Sequence, residues 1–153
     1  AVGRLLERHG YFHFEEPCPH DDLASTRAVA DALDIPVAGG EQEFDLRAFQ
    51  RMIETRSVDI VQPDLGYIGG IGRARRVAEL AEQWGLTCTP HCSNRTMLQL
   101  FTLHLAAAMP ACAQYQEYRV DDDVSWAESI ATPMPTVRGG FLSLPTAPGW
   151  GVE

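Results

Sequence analysis

Along the chain, the spacing of apolar positions switches repeatedly between the short period of a strand and the longer period of a helix. Tyr11-Phe12-His13-Phe14 is a strand-like run closed by Glu15-Glu16-Pro17. A helix is predicted over 23–33, with Ala24, Ala28, Val29 and Ala32 as its inward stripe. Ile35-Pro36-Val37-Ala38 reads as the second strand, closed by Gly39-Gly40-Glu41. Asp45 then caps a helix over 46–54 that turns Phe49, Met52 and Ile53 inward. Val58-Asp59-Ile60-Val61 is the third strand, ending in Gln62-Pro63-Asp64, and a helix over 71–84 carries Val77, Leu80, Ala81 and Trp84. Leu86-Thr87-Cys88-Thr89 is the fourth strand, closed by Pro90-His91. The most apolar helix follows over 96–109, then a last strand near 113–116 that ends at Glu117.

The strand ends share a property. Glu15, Glu41, Asp64, His91 and Glu117 are titratable and are separated by 26, 23, 27 and 26 residues. A strand, a loop and a three-turn helix take up about that length, and parallel strands need such crossovers. All five tips therefore belong on one edge of a parallel α/β sheet, the edge where α/β barrels keep their chemistry. A turn-former or helix cap explains any single tip. It does not explain five in phase.

Five strands fall short of the eight, and of the roughly 250 residues, of a closed barrel. An open doubly wound sheet would gather its ligand at one switch point instead of at every strand end. The glycine-rich stretch Tyr67-Ile68-Gly69-Gly70-Ile71-Gly72 has the spacing of neither a dinucleotide turn nor a phosphate loop.

Composition narrows the partners. Twelve basic residues, all of them Arg, stand against 21 acidic ones, a formal charge of −9. Nucleic acid or an anionic membrane surface would need a basic face. No apolar run approaches the roughly 20 residues of a membrane span. Cys88-Thr89-Pro90-His91-Cys92 offers three soft ligands in five residues, but the second ligand pair of a zinc knuckle is missing. Cys18, Cys88, Cys92 and Cys112 read as free thiols of a reducing cytosol, and a cytoplasmic protein is expected.

The chemistry available at the tips is specific. Glu15 and Glu41 are hard oxygen donors on adjacent strands and suit Mg²⁺, with a third carboxylate needed from a neighbouring strand. Asp64 and His91 are on the next two strands. A carboxylate on one imidazole nitrogen fixes the tautomer and makes the other nitrogen a better base. Glu117, across the pocket, could hydrogen-bond a substrate carboxylate if protonated. Glu16 is expected to turn away, because successive strand residues face opposite sides. Metal-binding carboxylates beside such a base point to proton abstraction next to a carboxylate, with the metal stabilising the enediolate. A glycosidase-like carboxylate pair would leave His91 without a role.

Taken in order, Phe14-Glu15-Glu16-Pro17, Gly39-Gly40-Glu41, Gln62-Pro63-Asp64 with Gly69-Gly70, Pro90-His91 and Gln116-Glu117-Tyr118 resemble successive strand ends of the enolase superfamily. The resemblance is to its mandelate racemase-like group, which includes acid-sugar dehydratases, and the closing Pro148-Gly149-Trp150-Gly151 shares it. It implies a modified (β/α)₇β barrel of the TIM type with an α+β capping domain. It also implies Glu15 and Glu41 as Mg²⁺ ligands, His91 and Asp64 as the catalytic dyad, and Glu117 as the partner of the substrate carboxylate.

Three parts of that family's pattern have no counterpart here: the aspartate ligand on the third strand, the Lys-x-Lys motif on the second, and the N-terminal cap. The sequence thus matches strands 4–8 only, as the C-terminal part of a longer enzyme. Residues 1–124 are expected to form the partial barrel, and 125–153 a segment packing toward the cap. The expected reaction is dehydration of an acid sugar to a 2-keto-3-deoxy acid by a full-length homo-oligomer, the isolated chain being inactive. Two alternatives stand beside it: a racemase or epimerase of a 2-hydroxy acid, and an inactive half-barrel scaffold. Gln42, Asn94 and Arg95 are candidate contacts for a hydroxylated substrate.

Overall fold

A computed structural model describes residues 1–94, 96–112, 115–119 and 130–153. Four short strands, β1 (Phe14–Glu15), β2 (Val37–Gly39), β3 (Ile60–Val61) and β4 (Thr87–Cys88), lie side by side in chain order, all parallel. The helices α2 (Leu23–Ala32), α3 (Leu46–Glu54) and α4 (Ile71–Gln83) make the crossovers between them. A helix that the apolar pattern did not announce, α1 (Val2–Arg8), precedes β1. The helix α5 (Met97–Ala108) follows β4, and Cys112 then pairs with Cys88 in a parallel bridge where the fifth strand was expected. Ala113 and Gln114 of that strand, and Arg95, lie outside the described residues.

The pleat separates two environments. Val61 and Cys88 are register partners on the helix side, in a core with Val37, Phe49, Ile53, Val77 and Ala81. Ile60 and Thr89 instead line a cavity on the opposite face. Full burial of a side chain such as Phe49 or Ile53 contributes about 1.5–3 kcal/mol, so the α3–α4 layer supplies much of what holds the strand ends in place. Among the described residues, three helix starts are side-chain capped: Asp22 accepts the Ser25 N–H, Asp45 the Arg47 N–H and Thr96 the Leu98 N–H.

Two predicted helix faces are corrected. In α2, Ala24, Ala28 and Ala32 are exposed, and the helix turns Thr26 inward with Leu23, Val29 and Ala30 against the core. A methyl group gains less from burial than a leucine or valine side chain, so the larger residues set the rotation. Trp84 is 40% exposed, because it sits at the end of α4, past the sheet.

The described C-terminal residues pack back on α5. An antiparallel hairpin pairs β5 (Val137–Arg138) with β6 (Phe141–Leu142) across Gly139-Gly140, both at positive φ as such a two-residue turn requires. Leu100, Ala131 and Met134 form a second core cluster, and the Trp150 ring lies 4.5 Å from that of Phe101. The expected boundary at 124/125 falls outside the described residues. Among the described residues, no helix is long and apolar enough to cross a membrane.

Candidate active site

Asp64 and His91 meet at the carboxyl edge of the sheet. Asp64 is almost fully buried, and one carboxylate oxygen, Oδ1, accepts the Gly66 and Tyr67 N–H groups at 2.7 and 2.9 Å. The Asp64 carbonyl also accepts the Ile68 N–H at 2.9 Å, so the tip of β3 closes into a turn around its own carboxylate. This leaves Oδ2, which lies 2.8 Å from His91 Nδ1. A carboxylate can only accept, so the neutral imidazole carries its proton on Nδ1 and presents a bare Nε2. The main chain holds the pair as well: the His91 N–H donates to the Pro63 carbonyl at 3.2 Å.

Two more strand-end carboxylates face that Nε2. Glu41 Oε2 is 3.4 Å away and Glu117 Oε2 is 3.7 Å away. Burial pushes the His91 pKa down, but the hydrogen bond to Asp64 and the charges of Glu117, Glu41 and Asp64 outweigh it, and the net shift is upward. Glu41 also moves up. Burial is the main cause, and the charges of Glu16 and Glu15 add to it against the opposing pull of His91. Glu117 Oε2 accepts the Cys92 N–H at 2.8 Å, while its carbonyl accepts from Gln99 Nε2 at 3.2 Å. Glu117 is thereby tied to the β4 loop and to α5.

Glu15 sits on the edge strand β1, exposed, with Oε2 3.6 Å from His13 Nε2. Glu16 turns to the other side, where its Oε2 accepts from Gln42 Nε2 at 2.9 Å. The five sequence-predicted residues therefore share one edge. Asp64, His91, Glu41 and Glu117 cluster around the imidazole, and Glu15 stands at the margin beside Glu41, whose carboxyl its charge helps to raise. Among the described residues, no three His, Cys, Asp or Glu side chains come together as a ready metal cage.

Two candidate substrate contacts are engaged within the protein, and the cysteine stretch behaves as free thiols. Gln42 is engaged with Glu16, and Asn94 Oδ1 accepts the Thr96 hydroxyl at the start of α5, so both have partners within the protein. The Cys88–Cys92 cluster does not converge: Cys88 lies in the core, His91 in the site, and Cys92 Sγ donates to the Asn94 carbonyl at 3.5 Å. His13, inside the first strand-like run and not among the candidate residues, neighbours Glu15 and has a buried Nδ1 without a partner among the described residues. Its signal was available, because residues i and i+2 of a strand share a face. Gln62 belongs to the Gln62-Pro63-Asp64 strand end but carries no role in the sequence reading. Two residues before Asp64, it lines a cavity of about 200 Å³ with His13, Glu15, Thr89 and Glu117, and its buried Oε1 is unpartnered.

With this geometry established, comparison with known proteins decides the family. The model of the enolase C-terminal domain-like family matches residues 1–153. The chain belongs to that family. An arabinonate dehydratase from Saccharolobus solfataricus is 33% identical over 152 residues, which is 98% of this chain and 39% of that protein. The crystal structure of a Roseobacter denitrificans protein is 50% identical with a TM-score of 0.92, covering 99% of this chain and 42% of that one. A mandelate racemase/muconate lactonizing enzyme-like protein from Roseovarius sp. TM1035 is 29% identical with a TM-score of 0.87, covering 99% and 37%. The chain thus spans about 40% of the length of such relatives, and its parallel sheet is a portion of the enolase-superfamily barrel.

Proposed function

We propose that this chain supplies the base, its orienting carboxylate and two metal ligands to a longer enolase-superfamily enzyme. In this reading the enzyme dehydrates an acid sugar to a 2-keto-3-deoxy acid. The observation that carries it is the Asp64–His91 pair at 2.8 Å, with the free Nε2 turned toward Glu41 and Glu117. Its similarity to an arabinonate dehydratase supports the substrate class.

The donor set fits a hard divalent cation. Glu15 and Glu41 are carboxylates on neighbouring strand ends, and their mutual repulsion helps to raise Glu41, a cost that a cation would relieve. When bound, Mg²⁺ would neutralise the charge of the enediolate that forms on loss of the α-proton.

His91 does the proton work. Its unprotonated Nε2 takes the α-proton, and the resulting imidazolium is stabilised by Asp64 on Nδ1. The imidazolium then returns that proton to the β-hydroxyl, which leaves as water, and the enol product rearranges to the keto acid. Asp64 holds the ring and its tautomer through a carboxylate fixed at its other oxygen by two amides. Glu117, carried toward the same pocket, is assigned to the substrate carboxylate. The protein is assigned to the cytoplasm.

The test is a screen of the full-length enzyme against an acid-sugar library with Mg²⁺, reading 2-keto acid as its semicarbazone. Product from one or more aldonic acids, lost on chelation and in Glu41→Gln, is expected. Exchange of the α-proton without keto-acid formation would replace dehydration by the racemase or epimerase reading.

A further inference from the structure

Beyond the main-chain ladder of the sheet, further contacts bridge each pair of neighbouring strand ends. Gln42 reaches Glu16 between the first two tips, Asp64 meets His91 between the third and fourth, and the Cys92 N–H meets Glu117 between the last two. Between the second and third tips the bridge comes from elsewhere, from Arg73 in the first turn of α4. Its Nε donates to the Ile68 carbonyl at 2.5 Å and its Nη2 to the Phe44 carbonyl at 3.2 Å.

We propose that Arg73 is a positioning residue that sets the separation between Glu41 and the Asp64–His91 pair. Both carbonyls it holds are rigidly linked to site residues. On the β3 side, the Ile68 N–H is bonded to the Asp64 carbonyl and the Gly70 N–H to that of Leu65, at 2.9 and 2.8 Å. The carbonyl gripped by Arg73 is therefore the far end of the turn that closes on the Asp64 carboxylate. On the β2 side, the Glu43 N–H returns to the Gly40 carbonyl at 3.1 Å, and the Glu43 carboxylate accepts the Phe44 and Asp45 amides. Glu41 lies inside that turn.

The chemistry selects arginine. A guanidinium presents Nε and Nη donors along one fixed edge and can hold two carbonyls at a set spacing, which an ammonium on a flexible stem does not do. The approach is also close. A Cβ on Gly69 would lie 3.4 Å from the Arg73 Cδ, and Gly69 has φ +90°. Among the described residues, Arg73 alone donates side-chain hydrogen bonds to the main chain of both the loop that holds Glu41 and the loop that holds Asp64.

The proposal rests on the reading of Glu41 as a metal ligand, and its test separates the two. Mn²⁺ affinity would be measured by electron paramagnetic resonance on the full-length protein for the wild type, Glu41→Gln, Arg73→Met and Arg73→Lys. Amide exchange at Gly66 and Tyr67 would be followed in the same proteins. Arg73→Met should weaken Mn²⁺ binding about tenfold, the low end for groups outside the ligand shell. It should also speed exchange at both amides, while the melting temperature stays within about 3 °C of wild type. Arg73→Lys should restore neither fully. Unchanged exchange in Arg73→Met overturns the positioning role whatever the metal does. So does full rescue of affinity by lysine. If Glu41→Gln binds Mn²⁺ as tightly as wild type, the ligand assignment fails instead, and the exchange result still decides the role of Arg73.

Discussion

Asp64 and His91 stand 27 residues apart in the chain and 2.8 Å apart at the sheet edge, one carboxylate oxygen on the ring and the other on two backbone amides. The arrangement gives the carboxylate one orientation and the imidazole one tautomer. It also predicts how the ring titrates. Burial alone would lower its pKa, so the upward shift depends on its acidic neighbours. Asp64→Asn in the metal-free protein should bring the His91 midpoint down from its wild-type position, since its hydrogen bond and charge are among the causes that raise it. Titration of the His91 ring signals by NMR checks this, and an unchanged midpoint would remove Asp64 from its assigned role.

The same shift fixes the sign of a stability change. A histidine whose pKa is raised on folding contributes stability that is fully present below its unfolded pKa and is lost as pH rises through the folded value. Glu41, also raised, acts in the same direction from about 4.5 upward. Urea denaturation of the metal-free protein should therefore show stability falling as pH climbs past about 6.5. His91→Asn should flatten that part of the curve. A wild-type profile that rises over the same interval would contradict the electrostatics described.

Gly40 allows Glu41 to be presented. Its φ is +113°, and an added Cβ would lie 2.9 Å from Phe49 Cε1, a side chain with no solvent exposure. Gly40→Ala combines a disfavoured backbone with overpacking, each costing about 1–3 kcal/mol. Chemical denaturation should show the loss, whereas alanine at Gly72, where no atom lies within 4 Å, should be mild.

Glu117 offers a cleaner separation of packing from chemistry. Glu117→Gln keeps an oxygen for the Cys92 amide, and Glu117→Ala leaves that half-buried amide unpaired at about 1–3 kcal/mol. Thermal melts should order the variants accordingly, with the glutamine form near wild type. In that form the His91 midpoint should nevertheless fall, since one of the charges holding it up is gone.

The alternation of strand, tip and helix was legible because each crossover repeats one length, and because Phe49, Met52 and Ile53 sit at helical spacing on one face. The rotation of α2 was not legible, since a run with several alanines fits more than one stripe and packing chooses among them. The Asp64–His91 pair could be anticipated from adjacent strand ends. The bond that freezes it, two amides on the second oxygen, depends on the turn through Gly66 and Tyr67. Arg73 was invisible for a similar reason: its targets are backbone carbonyls, which carry no sequence signal.

The central claim is that His91 takes the α-proton, and deuterium incorporation from solvent reads that step directly. The full-length wild type, incubated with Mg²⁺ and its acid-sugar substrate in D₂O, should release 2-keto-3-deoxy acid, and substrate regenerated by reversal of the proton transfer should carry deuterium at its α-carbon. His91→Asn should do neither, while still binding Mn²⁺. Keto acid formed by His91→Asn at a rate near that of wild type would contradict the account.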